Sequence, residues 1–466
     1  MEQNFYDIIC VGAGVVGCAA AKAFGQDNRR VLVLERDLSE PDRIVGELMQ
    51  PGGIDALKIL GLEDCTKDID GIPCYGYCLF RDGEYIHVPY PNKPISDNDQ
   101  DQQKKATGIT FHHGRFIQKL RQQARNTNNV TVLEMTVNSL IRKDGQEQVI
   151  GVVAQEKGKK DPVTFYAPLT IVADGIFSKF RKEFIDLKPD VRSNFVGFIA
   201  PNLTLPLPQH GFVAIVDPSP VLMYQISSNE TRVLVDVLEP VPSTSNGALK
   251  DHLIKTVLPQ LPNDMQPALQ EALHDQTLRT MPNGFLPPSA NQCLGVMILG
   301  DAMNIRHPLT GGGMTVALHD VILLQQLLSQ TNIPDLQSSD DLIMQALDCF
   351  HWKRKRHATP INILAMSLYR LFAAGDNPAL LQLQAACVDY FQLGGECVNG
   401  PVRLLSGLTQ SVWSLIYHFY AVAFYAIYLQ WSASSDNIWI CCVKSWQLLY
   451  IACITIFPYI FSEVKL

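Results

Sequence analysis

The chain has 466 residues, a formal net charge of −8 and 47% hydrophobic residues, enough for a large buried core and two or three domains. The acidic balance argues against a nucleic-acid protein, whose binding face is basic, and leaves small molecules and membranes as the expected partners. The 12 cysteines are scattered without CxxC pairs at zinc spacing, so neither a metal site nor a disulfide framework is expected.

The first residues, "MEQNFYDIICVGAG", run straight into an apolar stretch with no space for a signal peptide, so the catalytic part is expected to face the cytosol. "YDIICV", residues 6–11, has the pattern of a buried strand, and "GAGVVG" follows at once. Gly12, Gly14 and Gly17 complete a GxGxxG run that opens a small-residue helix, with Val15 and Val16 in its first turn, and a second strand, "VLVLE", closes on Glu35. Gly12 permits the tight turn and Gly14 lets the backbone approach a pyrophosphate. Gly17 lets the helix pack on the strand, and the Glu35 carboxylate can accept from ribose hydroxyls. Strand, helix, strand and acid in this order predict a bound dinucleotide.

The polar segment "NKPISDNDQDQQKKAT", residues 92–107, is expected to be a mobile surface loop. Beyond it, "TIVADGIFSKFR" is an apolar strand ending in Asp174-Gly175, with Ser178 and Arg181 on the turn after it. Short β-branched runs separated by turn residues follow, "FVGFIA", "GFVAIVD", "VLMYQIS" and "TRVLVDVLE". They predict an antiparallel sheet that walls a substrate cavity. "LGVMILGDAMNIRHP" is another apolar strand, ending in Gly300-Asp301, and three glycines precede the helix after it. The N–H groups around Gly312, Gly313 and Met314 are then open to an anion. An NAD enzyme needs neither the Asp174 nor the Asp301 segment, so together they favour FAD. The expected fold is α/β: a Rossmann-like cofactor domain in two parts, residues 1–190 and 282–335, a β-rich substrate domain, 191–281, and a helical carboxyl-terminal region, 336–466.

In that last region, "HWKRKRHATP" sets Lys353, Arg354, Lys355 and Arg356 side by side, either a solvated helix end or a contact for anionic headgroups. Residues 404–435 and 445–462 then carry no Asp, Glu, Lys or Arg. Each run holds a stretch of the ~20 residues that cross a bilayer core as a helix. Trp413, Trp431, Trp439 and Trp446 near the ends suit a membrane interface. A membrane hairpin at about 411–461 is expected, spanning or dipping into one leaflet; the alternative is a pair of buried core helices.

The Gly-Asp and glycine-rich helix pattern resembles the flavoprotein monooxygenases of the para-hydroxybenzoate hydroxylase fold. "ERDLSEPDRIVGELMQPGG", "HHGRF", "ADGIFSKFRK" and "GDAMNIRHPLTGGGM" narrow the likeness: in this order they resemble the squalene epoxidase, or squalene monooxygenase, family over essentially the whole chain. The resemblance implies that Glu35 and Arg36 bind the adenosine part of FAD, that Arg43 and Arg115 contact FAD, and that Asp301 holds the ribityl chain with Met314 near the flavin. Tyr77, in "CYGYCLF", matches the family's tyrosine beside the flavin; taken alone it is one tyrosine among 15. Its role is either to supply a hydrogen bond to the reaction or to shape the site. The implied reaction is epoxidation of squalene to (S)-2,3-oxidosqualene with O₂, a step of sterol biosynthesis. Electrons come from NADPH through NADPH-cytochrome P450 reductase, at the endoplasmic reticulum membrane, with membrane lipid as a further partner. The alternative is a hydroxylase or isoprenoid reductase of the same fold acting on another apolar substrate.

Overall fold

The computed structural model describes residues 4–92, 105–435 and 437–464. Most of the segment expected as a surface loop, residues 93–104, lies outside the described residues.

The chain begins with β1 (Ile8–Val11), α1 (Val15–Gln26) and β2 (Val31–Glu35). It continues through β3 (Leu48–Met49), α2 (Pro51–Ile59), β4 (Ile72–Cys74), β5 (Gly76–Arg81), β6 (Glu84–Pro89), β7 (Gly108–Thr110) and α3 (His113–Arg125). After these come β8 (Val130–Arg142), β9 (Val149–Glu156), β10 (Val163–Tyr166) and β11 (Leu169–Val172). The middle holds β12 (Asp190–Pro201), β13 (Gly211–Ala214), β14 (Val221–Gln225), β15 (Glu230–Leu238), α4 (Ala248–His252), α5 (Gln266–Asp275) and β16 (Arg279–Phe285). Then follow β17 (Val296–Ile298), α6 (Gly313–Leu327), α7 (Asp340–Phe372), α8 (Pro378–Gln392), α9 (Glu396–Leu405), α10 (Val412–Ala433) and α11 (Ile438–Val464).

The first sheet has the order β10-β9-β8-β2-β1-β11-β17. The ladders from β8 to β17 are parallel, and β9 and β10 add an antiparallel edge. Parallel strands are covered on both faces, which is why β1 and β11 are buried at every position instead of alternating, and apolar throughout except at Thr170. The parallel order brings the carboxyl ends of β1, β2, β11 and β17 to one edge. Ligands bind open α/β sheets outside that edge.

The second sheet has the order β16-β12-β15-β14-β13-β5-β6. Here the structure departs from an antiparallel insert confined to residues 191–281. β5 and β6 come from the amino-terminal part, and β5 joins β13 in parallel, Tyr77 opposite Gly211. β16 also runs past the expected boundary. The reason is edge completion: β13 would otherwise present a row of unpaired N–H and C=O groups, and the partner that pairs with them lies far away in sequence. A small third sheet has the order β3-β7-β4.

Candidate cofactor and substrate site

One cavity of about 600 Å³ runs from the glycine turn after β1 to the inner face of the second sheet. At the first end Gly12 has φ +104°, and a Cβ there would lie 2.6 Å from the Ala173 carbonyl oxygen, so only glycine fits. A methyl group at Gly14 would meet no protein atom within 4 Å, and Gly14 lines the cavity at the amino end of α1. The backbone there is kept bare for something to approach, and the first-turn N–H groups of α1 favour an anion. Val15 and Val16 also line this end. Gly17 does not: its Cβ would sit 1.8 Å from the Gly12 carbonyl oxygen, so it serves the contact of helix with strand. Glu35 and Arg36 line the cavity at the end of β2, and one Glu35 oxygen accepts from the Ala13 N–H at 2.7 Å.

The carboxyl ends of β11 and β17 supply the next stretch. Asp174 accepts from the Lys179 N–H at 2.9 Å with one oxygen, while its other oxygen is buried without a protein partner. Asp301 lines the cavity together with Arg43 and Arg306. Asp301 is itself exposed to that space; the protein packed around it pushes its carboxyl above the ordinary value, and the charges of Arg306, Arg43 and Arg181 oppose that shift. Arg181 ties the two turns together, donating to the carbonyls of Ala302 and Asp301 at 2.7 Å and of Ile176 at 2.8 Å. Gly313 and Met314, in the first turn of α6, face the same space. Gly312 faces away, since its Cβ would meet the Ile361 side chain at 2.5 Å.

At the far end Tyr77 lines the cavity and is buried. Gly211 opposite it has no side chain, and a Cβ there would approach the Tyr77 ring to 3.0 Å. The phenol oxygen accepts from the Gln50 amide. The same amide donates to the Thr310 carbonyl at 2.7 Å, and Tyr90 donates to the Gln50 Oε1 at 2.7 Å. Burial pushes the Tyr77 phenol well above its ordinary value, so it stays protonated. The walls beyond it are apolar: Val213, Leu222, Leu234, Met281 and Leu309. Among them Glu47 and Arg232 form a buried two-point pair at 2.8 and 2.9 Å, joining the segment before β3 to β15. A second buried carboxylate, Asp236, accepts from Asn283 at 2.8 Å and Tyr369 at 3.0 Å. It also lies 3.4 Å from the Nε2 of His307, whose Nδ1 accepts from the Leu309 N–H.

The structure therefore gathers the expected site residues around one cavity, with Gly17, Arg115 and Gly312 as exceptions. Arg115 is 39% exposed and turns to the Ile69 carbonyl and Asp70. The inward arginine of α3 is Arg121, which clamps the carbonyls of Ala13, Asp37 and Ser39. A sequence signal existed: Arg121 shares the helix face of Ile117, Leu120 and Ala124, which are buried. Gln50, inside the quoted "GELMQPGG", carried no signal of its own.

The basic run in α7 is not a solvated patch. Arg354 is 1% exposed and makes a two-point pair with Asp320 at 3.0 and 2.9 Å, beside His357 at 2.8 Å. Only Lys353 and Arg356 of the four are exposed. At the other extreme, only 22% and 28% of the apolar stretches of α10 and α11 are buried, which sets aside a pair of core helices. Trp413, Tyr417, Phe424 and Tyr428 on α10, and Trp439, Trp446 and Tyr450 on α11, face outward. Their inner faces join a core that runs unbroken from Tyr77 and Leu222 through Phe372 to Ala423 and Leu448.

Residues 166–440 match the family model described as squalene epoxidase. The chain is 44% identical to a squalene epoxidase of Schizosaccharomyces pombe over 100% of both chains. It is 46% identical to a squalene monooxygenase of Mus musculus over 98% of this chain and 78% of the other. Among solved structures, a probable FAD-dependent monooxygenase of Pseudomonas aeruginosa superposes with a TM-score of 0.61 at 20% identity, over 80% of this chain and 96% of the other. That likeness concerns the fold alone, whereas the full-length identities concern the sequence throughout; on those, this chain belongs to the squalene epoxidase family.

Proposed function

We propose that this chain is an FAD-dependent squalene monooxygenase, epoxidising squalene to (S)-2,3-oxidosqualene in sterol biosynthesis. The carrying observation is the single cavity with two characters. It is glycine-lined and charged where a dinucleotide would lie, and apolar around Tyr77 where a hydrocarbon would lie. The residues present fit FAD on their own geometry: the open cradle at Gly14 and the unpartnered buried oxygen of Asp174 both call for a bound polar group. On this reading Gly12, Gly14, Val15 and Val16 receive the pyrophosphate, Glu35 and Arg36 the adenosine end, and Asp174, Asp301, Gly313 and Met314 the flavin end. Arg43 supplies a cation beside Asp301. Gly17 and Gly312 act through packing, and Arg115 through the loop it anchors.

When bound, FAD supplies the activation of O₂ and the transfer of one oxygen atom, so no side chain has to act as a nucleophile. The protein holds the alkene and excludes water. Val213, Leu222, Leu234 and Met281 do the excluding, and the protonated Tyr77 hydroxyl, held by Gln50, offers a fixed hydrogen-bond donor at the boundary between the polar and apolar ends. Residues 336–464 add the route for the substrate. Squalene has no useful aqueous concentration, and an outward aromatic face on α10 and α11, backed by apolar packing that reaches the cavity wall, supports uptake from membrane lipid. We assign the endoplasmic reticulum membrane with the catalytic part in the cytosol, and NADPH-cytochrome P450 reductase as electron donor. The cofactor unit is then discontinuous, with the substrate sheet built from residues 76–89 and 190–285.

The test is reconstitution of the detergent-purified protein with squalene, NADPH, the reductase and ¹⁸O₂. The expected product is squalene heavier by one labelled oxygen atom. Bound flavin that consumes NADPH and yields only H₂O₂ would retain the cofactor site and overturn the substrate.

A further inference from the structure

A buried chain of hydrogen bonds leads from the end of the apolar hairpin to the cofactor cavity. Glu463, in the last turn of α11, is 3% exposed. Its two oxygens accept from Thr359 at 2.9 Å and from the Asn362 amide at 2.8 Å, both on α7. The same Asn362 amide donates to the Oδ1 of Asn304 at 3.0 Å. Asn304 is fully buried, and its Nδ2 is held by the Leu286 carbonyl at 2.8 Å. Its Oδ1 also accepts from Arg306 at 2.7 Å. Arg306 lines the cavity beside Asp301 and Gly313 and is 8% exposed; its Nε is buried without a partner.

Arg306 is therefore a buried cation at the cavity wall whose orientation is set from behind by Asn304. We propose that Arg306 is a positioning cation for the cofactor's anionic state and that Glu463 sets it through Asn362 and Asn304, so that docking of α11 is felt at the flavin. This rests on the proposal that FAD occupies the cavity. Nothing in the hydrocarbon chemistry calls for a buried carboxylate at the end of an apolar helix. A carboxylate that orders two donors on α7 does. A positive charge near the cofactor favours the reduced, more negative form, so its loss or misplacement lowers the midpoint potential.

The experiment uses the full chain in detergent and reads FAD Kd, the midpoint potential of the bound flavin, and thermal stability. Arg306→Met is expected to weaken FAD binding about tenfold and to shift the potential negative. Glu463→Ala is expected to move both quantities in the same direction by a smaller amount. Asn362→Ala, which cuts the route from the other side, must reproduce the Glu463→Ala shift, and Glu463→Gln, which keeps an acceptor for Asn362, must restore the greater part of it. The double variant Arg306→Met with Glu463→Ala is expected to change no more than Arg306→Met alone. Glu463→Ala or Asn362→Ala with the wild-type Kd and potential, whatever the loss of thermal stability, would overturn the inference. So would additive effects in the double variant. A wild-type protein that binds no FAD would instead overturn the cofactor assignment, a separate result read before any variant is made.

Discussion

Replacing Gly14 by alanine separates the cost of folding from the cost of binding. The backbone at Gly14 has φ −86° and ψ −162°, which alanine adopts without strain. Its new methyl would touch no protein atom within 4 Å. Two small terms then act on the fold. Alanine stiffens the unfolded chain and stabilises by about 0.4–1 kcal/mol, and it is a poorer N-cap than glycine by about as much. They nearly cancel, so the melting temperature of the protein without FAD should stay put. FAD affinity should not. The methyl occupies the space through which the backbone reaches the pyrophosphate, and a hydrogen bond to a charged group is worth about 1.5–3 kcal/mol. FAD Kd should therefore rise roughly ten- to a hundredfold. Gly17→Ala is the internal control. Its Cβ would lie 1.8 Å from the backbone oxygen of Gly12, strand and helix must separate, and overpacking of that kind costs about 1–3 kcal/mol or more. It should melt early with or without FAD. The assay is a fluorescence-quenching titration of FAD alongside thermal melts of both variants. A Gly14→Ala protein that binds FAD like the wild type would refute the cradle. One that melts as early as Gly17→Ala would refute the claim that the space is open.

Tyr77→Phe should leave the fold intact but lower epoxide formed per NADPH consumed, with H₂O₂ making up the difference; unchanged rate and coupling would remove the hydroxyl from the reaction. Arg232→Met leaves Glu47 buried without its cation and should destabilise by about 3–5 kcal/mol. Burial already pushes the Glu47 carboxyl up, so uptake of a proton by the orphaned group should ease the deficit as pH falls; a deficit that is flat from pH about 8 to about 5 would refute that origin. Asp320 feels burial, which raises its carboxyl, but Arg354 and the hydrogen bond from His357 prevail and hold it at about 2 against an ordinary 3.8. A depressed carboxyl stabilises the fold above its unfolded value and loses that contribution as pH falls through the folded one. The wild type should therefore exceed Asp320→Asn in stability by a margin that shrinks by roughly 2 kcal/mol between pH about 5 and about 2 in denaturant titrations. A constant margin would place the stabilisation elsewhere.

The cofactor end was legible in the sequence because its determinants are local. Gly12, Gly14 and Gly17 act within one turn of the backbone, and Glu35 stands at the end of the next strand, where chain order and proximity coincide. Asp174 and Asp301 were legible for a related reason. Each closes an apolar strand, and parallel strands deliver their carboxyl ends to one edge. The hairpin announced itself through the absence of charge over long runs, which no fold can disguise.

What the sequence could not disclose depends on which distant segments meet. β5, carrying Tyr77, completes the edge of β13 from more than a hundred residues away, and periodicity within a strand says nothing about its neighbour. Gln50 becomes a site residue only because Tyr77, Tyr90 and Thr310 converge on one amide. The four adjacent cations of α7 looked alike in sequence; helix geometry turned Arg354 inward to Asp320 and left Lys353 and Arg356 in solvent. On α3 the same geometry chose Arg121 over Arg115 for the interior. Backbone conformation and apolar patterning are properties of short segments and can be read in order along the chain, whereas the pairing of buried charges is a property of packing and exists only once those segments have met.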